Sequence, residues 1–490
     1  MSLKKLASQT AIYGISSIVG RMLNYMLTPW FTRLFTTAAY GVITELYSYL
    51  VFLLVILTYG METTFFRYSK LENPEKVYSN ALISLFFTSF LFLFLVFFQL
   101  DSIASFLDYS ANPEYIIWFA IIIGLDTFLT IPFAKLRNEN KAFKFAGIKL
   151  FNILLNIALN LYFFLLCPFI YKQSPQHFML EFYNPNLGIA YVFISNLIAS
   201  IFTFLLLLGE LTKVKLQFDF KLYNQMMKFA IPLLIVGLAG SINEVLDRTL
   251  LKHLLPDKSS AMSQLGIYGA NYKLSILMTL FIQTFRYAAE PFFFSSAGKS
   301  DSKKMYADVL KYFTIFGLFI FLGIMLYIDV VKYFIAVEYH SGLSIVPVLL
   351  LANLFLGMIF NLSIWYKLTN LTKFGAIISV FGAVITLVLN ILLIPVMGID
   401  GSAWATFFCY LSMMLVTYFW GKKHYPIAYD LKSILKYFTL TFVLYFLSIY
   451  IPYSSEVLKY FINTVFLLIF IYYVFRHENI KQLLFSRMRK

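Results

Sequence analysis

The chain has 490 residues, of which 60% are hydrophobic, 19% aromatic and 13% charged, and its mean hydropathy is +0.77. That is far more apolar side chain than a soluble core of this length needs, which excludes the soluble globular classes. A formal net charge of +15 would suit nucleic acid, but the basic residues sit in short loops between apolar segments, so no nucleic-acid partner is expected.

The apolar segments are about 20 residues long, enough for each to cross the ~30 Å hydrocarbon core as a helix. The opening "MSLKKLASQTAIYGISSIVG" has a short basic region and an apolar run without a small-residue cleavage site, so it is expected to persist as the first span, 9–31. Further spans are expected at 40–62, 78–100, 114–135, 146–170 and 187–209. After the basic loop "LTKVKLQFDFKLYNQMMK" come 229–251, 265–288, 308–328, 343–366, 374–397 and 400–420. Two more, 433–451 and 457–475, complete a set of about fourteen. The predicted class is an all-α polytopic membrane protein.

If the N-terminus is inside, most of the 39 Lys and Arg fall in inward segments, among them Lys135, Arg137, Lys141 and Lys144. The outward segments hold few, including Lys252, Lys332 and Lys459. This asymmetry follows the positive-inside rule and predicts that both termini are cytoplasmic.

One feature of the first span returns later in the chain. Arg21 and Pro29 of "GRMLNYMLTP" match Arg248 and Pro256 of "DRTLLKHLLP" at a spacing of 227 residues. Tyr40-Gly41 matches Tyr268-Gly269 at 228, and Lys144-Phe145 matches Lys373-Phe374 at 229. Four collinear markers predict two parallel six-helix repeats. The expected organisation is an N-lobe at 1–212, a C-lobe at 213–424, and two appended helices with a basic tail at 425–490.

Soluble-enzyme signatures are missing: there is no phosphate loop, no GxSxG elbow and no paired CxxC. Cys167 and Cys409 lie in different apolar segments, so no disulfide framework is expected. No metal site and no cofactor are implied.

The informative residues are ionisable groups inside spans, which are costly there and point to function. In the first span Ser17, Arg21, Asn24 and Thr28 recur at helical spacing and form a polar stripe. Arg21 and Arg248 occupy equivalent places in the two repeats. Guanidinium forks there suit an anionic headgroup, phosphate above all, with Asn24 beside them and Arg286 as a third cation. Glu244, Asp247, Lys273 and Glu290 lie in the seventh and eighth spans, with Glu244 and Arg248 one turn apart. On a straight eighth helix, Lys273 and Arg286 would occupy nearly opposite faces. Glu45, Asp126, Lys149, Asn152 and Asn156 complete the set. Each of these has two readings: a polar bridge between packed helices, or a lining group for ion coupling.

Taken together, the stretches "LASQTAIYGISSIVGRMLNYMLTPWFTRLFTTAAYG", "IPFAKLRNENKAFKFAGIKL", "SINEVLDRTLLKHLLP" and "FRYAAEPFFFS" resemble the Wzx-type polysaccharide flippases. These belong to the multidrug, oligosaccharidyl-lipid and polysaccharide exporter superfamily. The resemblance implies a non-enzymatic transporter that moves an undecaprenyl-diphosphate-linked oligosaccharide across a bacterial cytoplasmic membrane by alternating access. It also implies membrane lipids and a glycan polymerase as partners. An ion-coupled multidrug antiporter of the same fold is the alternative, which Glu244, Asp247 and Glu290 would favour. A membrane glycan polymerase or ligase fits less well, because the outer loops are short and poor in Arg.

Overall fold

The computed structural model describes residues 18–212, 216–296, 300–369 and 371–478, and within that range it leaves out the side chains of residues 287, 288, 290, 291, 294 and 295. The described residues are almost wholly helical. Among them, eleven helices are long and apolar enough to cross a membrane, or twelve if one bent pair counts as a single span. The protein is a multi-pass, all-α membrane protein. Residues 9–17 of the expected first span lie outside the described residues; the remainder is helical from residue 18, with α1 at Thr28–Leu34.

Most of the expected spans from 40–62 onward fall on observed helices, and local chemistry explains where several of them begin. The helix α2 (Thr37–Thr58) starts where Thr36 accepts a hydrogen bond from the Ala39 N–H. At its far end Tyr59 and Gly60 both take positive φ, 35° and 73°, before α3 (Met61–Tyr68). The helix α4 (Pro74–Phe98) has Pro at its first position and Asn73 capping Glu75 and Lys76. There follow α5 (Pro113–Asn138), α6 (Ala142–Leu161) and α7 (Ala190–Leu211). Asp219 then accepts from the N–H groups of Lys221 and Leu222 to open α8 (Phe220–Leu254).

The expected straight span 265–288 is instead two helices, α9 (Ala261–Leu274) and α10 (Ile276–Ser296), bent by 50°. The Ser275 hydroxyl bonds back to the Tyr272 carbonyl at 2.7 Å, competing with the helical ladder at the break. The geometry expected for Lys273 and Arg286 on a straight helix therefore does not hold. After α11 (Ser302–Leu326) and α12 (Ile345–Leu362), the expected spans 374–397 and 400–420 appear as one 52-residue stretch, α13 (Lys373–His424). At ~1.5 Å per residue it would be more than twice the thickness of the hydrocarbon core if straight. It folds back at Gly398, where φ is 59° and ψ −131°. Its two arms touch where the Cys409 thiol meets the Gly382 carbonyl at 3.4 Å. Two helices finish the chain, α14 (Leu431–Tyr450), capped by Asp430, and α15 (Glu456–His477), capped by Ser455.

The helices cluster into two compact units. The first comprises residues 1–253 and 257–266, the second 254–256 and 267–490. In the first unit α5 is the central helix, packed by α2, α3, α4, α6 and α7. In the second, α12 is the most enclosed span and packs on α10, α11 and α13. There Asp329 holds both Lys332, at 2.8 Å, and Lys459 of α15, and these two ammonium groups keep its carboxyl below the usual carboxylate range.

Within the first unit, the beginnings of α2 and α9 cross at backbone contact. A Cβ on Gly41 would lie 2.0 Å from the Met262 carbonyl oxygen, and one on Gly266 would lie 1.9 Å from that of Thr37. The Thr37 and Ser263 hydroxyls meet there at 2.7 Å. Gly41→Ala is therefore expected to destabilise the protein by about 1–3 kcal/mol, the cost of overpacking against rigid backbone. Gly147→Ala, with nothing within 4 Å of the added methyl, should leave thermal unfolding in detergent unchanged.

Candidate functional site

Among the described residues, a closely enclosed ionic group lies in the first unit. Glu45, two turns into α2, is 0% exposed, and Lys252, near the end of α8, is 7% exposed. Lys252 Nζ lies 3.1 Å from Glu45 Oε1, 3.4 Å from Asp108 Oδ2 and 2.5 Å from the Leu107 carbonyl oxygen. Its three N–H donors thus face three oxygens, with the Tyr109 ring 5.1 Å away. Glu45 in turn accepts from the Tyr49 hydroxyl at 2.9 Å and the Tyr109 hydroxyl at 2.6 Å. Asp108, at φ 61°, turns the loop so that it covers the lysine. The sequence places Glu45 inside a span and Lys252 only in an outward segment. The burial of Lys252 is visible only once the loop at 107–109 folds over it.

Four residues below Lys252, on the same face of α8, stands Arg248. It is half-buried, and Tyr40 of α2 lies in its field while also hydrogen-bonding Thr28. The Arg248 backbone N–H meets Asp247 Oδ1 at 2.8 Å. Asp247 and Asn243 are buried, whereas Glu244 is exposed. On the first helix, Gly20 and Tyr25 face inward, with Gly20 against Ile153 of α6. Arg21 and Asn24 are exposed on its other side. The stripe expected there is therefore divided: Thr28 is enclosed, and Ser17 lies outside the described residues.

A second polar cluster joins α2, α5, α6 and α7. Ser200 donates to Asp126 Oδ1 at 3.2 Å, and Asp126 and Lys149 lie within each other's field. Lys149 Nζ stands 4.1 Å from the Phe133 ring centre. The Asn152 amide donates to Thr203 at 2.9 Å, and Asn196 to Tyr47 at 2.8 Å. Asn156 accepts from Asn160 one turn along its own helix. The asparagine row thus serves as bridges between and along helices, while Asp126 and Lys149 supply the charge.

In the second unit, Lys273 is half-buried beside the break at Ser275, and Arg286 stacks over Phe360 at 4.8 Å. The side chain of Glu290 lies outside the described residues. At the junction of α5 and α6 three lysines gather on a carboxylate that no sequence pattern singles out. Glu210, 1% exposed, meets Lys144 at 2.7 Å, Lys135 at 3.5 Å and Lys141 at 3.8 Å. These residues tie α7 to the α5–α6 turn; only the run of lysines, not their shared partner, was legible.

Residues 6–297 match the model of a family described as polysaccharide biosynthesis protein. A Haemophilus influenzae protein of the Lsg locus is 21% identical over 299 residues, covering 60% of this chain and 67% of that one. Among solved structures, the lipid II flippase MurJ in an inward closed conformation aligns with a TM-score of 0.74 at 17% identity, covering 95% of this chain and 99% of that one. An inward-facing multidrug resistance transporter of the MATE family aligns at 0.63 and 15% identity, covering 86% and 94%.

Removing one member of a buried ion pair leaves the other uncompensated, at a cost of about 3–5 kcal/mol. Lys252→Met should therefore sharply reduce thermal stability in detergent. Adding Glu45→Gln to Lys252→Met should recover most of the loss, because both charges are then absent.

Proposed function

From the premise that this chain belongs to the polysaccharide biosynthesis protein family, we propose that it is a lipid-linked oligosaccharide flippase. Its cargo is an undecaprenyl-diphosphate-linked glycan, moved across a bacterial cytoplasmic membrane with both termini on the cytoplasmic side. It is a transporter that makes and breaks no bond in its cargo. A fold shared with MurJ at a TM-score of 0.74 suits this reading. The lobes are the two six-helix repeats at 1–212 and 213–424, followed by the helices at 425–490. In support, α5 and the helix α12, which stands at the equivalent place in the second repeat, are each the central helix of a compact unit.

The observation that carries the reading is the placement of Arg21 and Arg248. One is exposed and the other only half-buried, in spans where a guanidinium is expensive to keep. A planar fork of donors on each is matched to phosphate oxygens, and a diphosphate offers enough of them for two arginines. Asn24, and in the second unit Arg286 stacked on Phe360, are further candidate ligands for an anionic headgroup. The sugars travel in water while the prenyl chain stays in lipid, and a glycan polymerase takes the product.

The antiporter alternative draws on the acidic residues. Asp126 already faces Lys149 in its own cluster, a tethered cation that supplies the positive charge a transported ion would otherwise bring. This favours a fixed electrostatic role for that cluster, and leaves Glu244, Asp247 and Glu290 as the groups assigned to ion coupling.

Arg21→Ala or Arg248→Ala is expected to abolish surface glycan export with the protein level in the membrane unchanged. Lys at either position should restore export only in part, because the ammonium keeps the charge and loses the fork. Normal export by both alanine variants would sink the headgroup assignment.

A further inference from the structure

We propose that Lys252 is a latent anion-binding position, one helical turn beyond Arg248, which Glu45 and Asp108 cover in this structure. The identity of the anion as a diphosphate headgroup rests on the reading given above. The position itself rests on the geometry.

Arg248 and Lys252 are four residues apart on the uninterrupted helix α8, so they share a face at a separation of roughly 6 Å along it. The three oxygens around Lys252 at 2.5, 3.1 and 3.4 Å form the type of cage that phosphate oxygens supply to an ammonium group. Two of these three belong to carboxylates, so the lysine is already held in the manner of an occupied anion site, with the protein's own side chains as occupants. Their hold is unequal. Glu45 is anchored by two tyrosine hydroxyls, whereas the Asp108 side chain is 74% exposed, on a residue at φ 61°. Asp108 is the carboxylate that an incoming anion displaces first.

The arrangement also follows from the medium. A cation left bare near the end of a membrane helix would hold a diphosphate whenever one came near; one neutralised by internal carboxylates does so only when they are displaced. A headgroup leaving Arg248 thus finds its next cation one turn along α8, in the direction of the end expected to face outward.

The test uses the full chain in lipid nanodiscs and farnesyl diphosphate as the probe, with farnesol as the uncharged control. Lys252 in the wild-type chain is expected to resist an amine-reactive label, read at that residue by peptide mass spectrometry. In Glu45→Gln/Asp108→Asn it should become reactive, farnesyl diphosphate should protect it several-fold, and farnesol should not. The same variant should bind farnesyl diphosphate about tenfold tighter, the scale of one added charge-assisted contact. Glu45→Gln alone, which keeps the side-chain length and an oxygen for the tyrosines, repeats the test should the double variant fail to fold. Unchanged affinity, or tighter binding without protection of Lys252, would overturn the proposal. Binding by the variant but none by the wild-type chain would instead count against the Arg21 and Arg248 assignment while supporting Lys252. Binding by neither overturns both.

Discussion

A charge inside a membrane protein must be neutralised or given water, and the polar architecture of the first unit is organised by that constraint. The Glu45–Lys252 pair is its plainest expression. One carboxylate and one ammonium, each expensive alone, engage two tyrosine hydroxyls, a backbone carbonyl and an exposed aspartate. Together these groups fasten α2, α8 and the loop at 107–109. The same rule gathers Lys135, Lys141 and Lys144 on the enclosed Glu210 and sets Asp126 beside Lys149.

Against this background, Arg21 and Arg248 stand apart by exposure more than by charge. Glu45 and Glu210 are enclosed and matched by lysines at short range. Arg21 is exposed and Arg248 half-buried, at places that the sequence repeats at a spacing of 227 residues. Lysine supplies the ammonium at Glu45, Glu210 and Asp126, and the proposed headgroup ligands are arginines. The difference follows from chemistry: a rounded ammonium fits a cage of mixed oxygens, while a planar fork fits a phosphate.

Backbone contacts set where helices can approach. Gly41 and Gly266 allow α2 and α9 to cross at van der Waals distance, and the sequence signature Tyr40-Gly41 acquires a physical cause. Gly398 does the corresponding work in α13 by turning a 52-residue helix back on itself. Small residues at such crossings replace the hydrophobic driving force that lipid does not provide.

By itself, the sequence determined the membrane class, the approximate positions of most spans between 40–62 and 457–475, and which ionisable residues fall within apolar segments. Each of these depends on local composition and on the thickness of the bilayer, so each can be read from a window of about 20 residues. Tertiary structure alone decided the partners. Lys252 belongs with Glu45 and Leu107, residues separated from it by more than a hundred positions, and no local pattern records that pairing. The 50° break at Ser275 and the gathering of three lysines on Glu210 were likewise invisible in advance. In a low-dielectric interior the energy of a charge is set by the few atoms that touch it, and those atoms come from the fold.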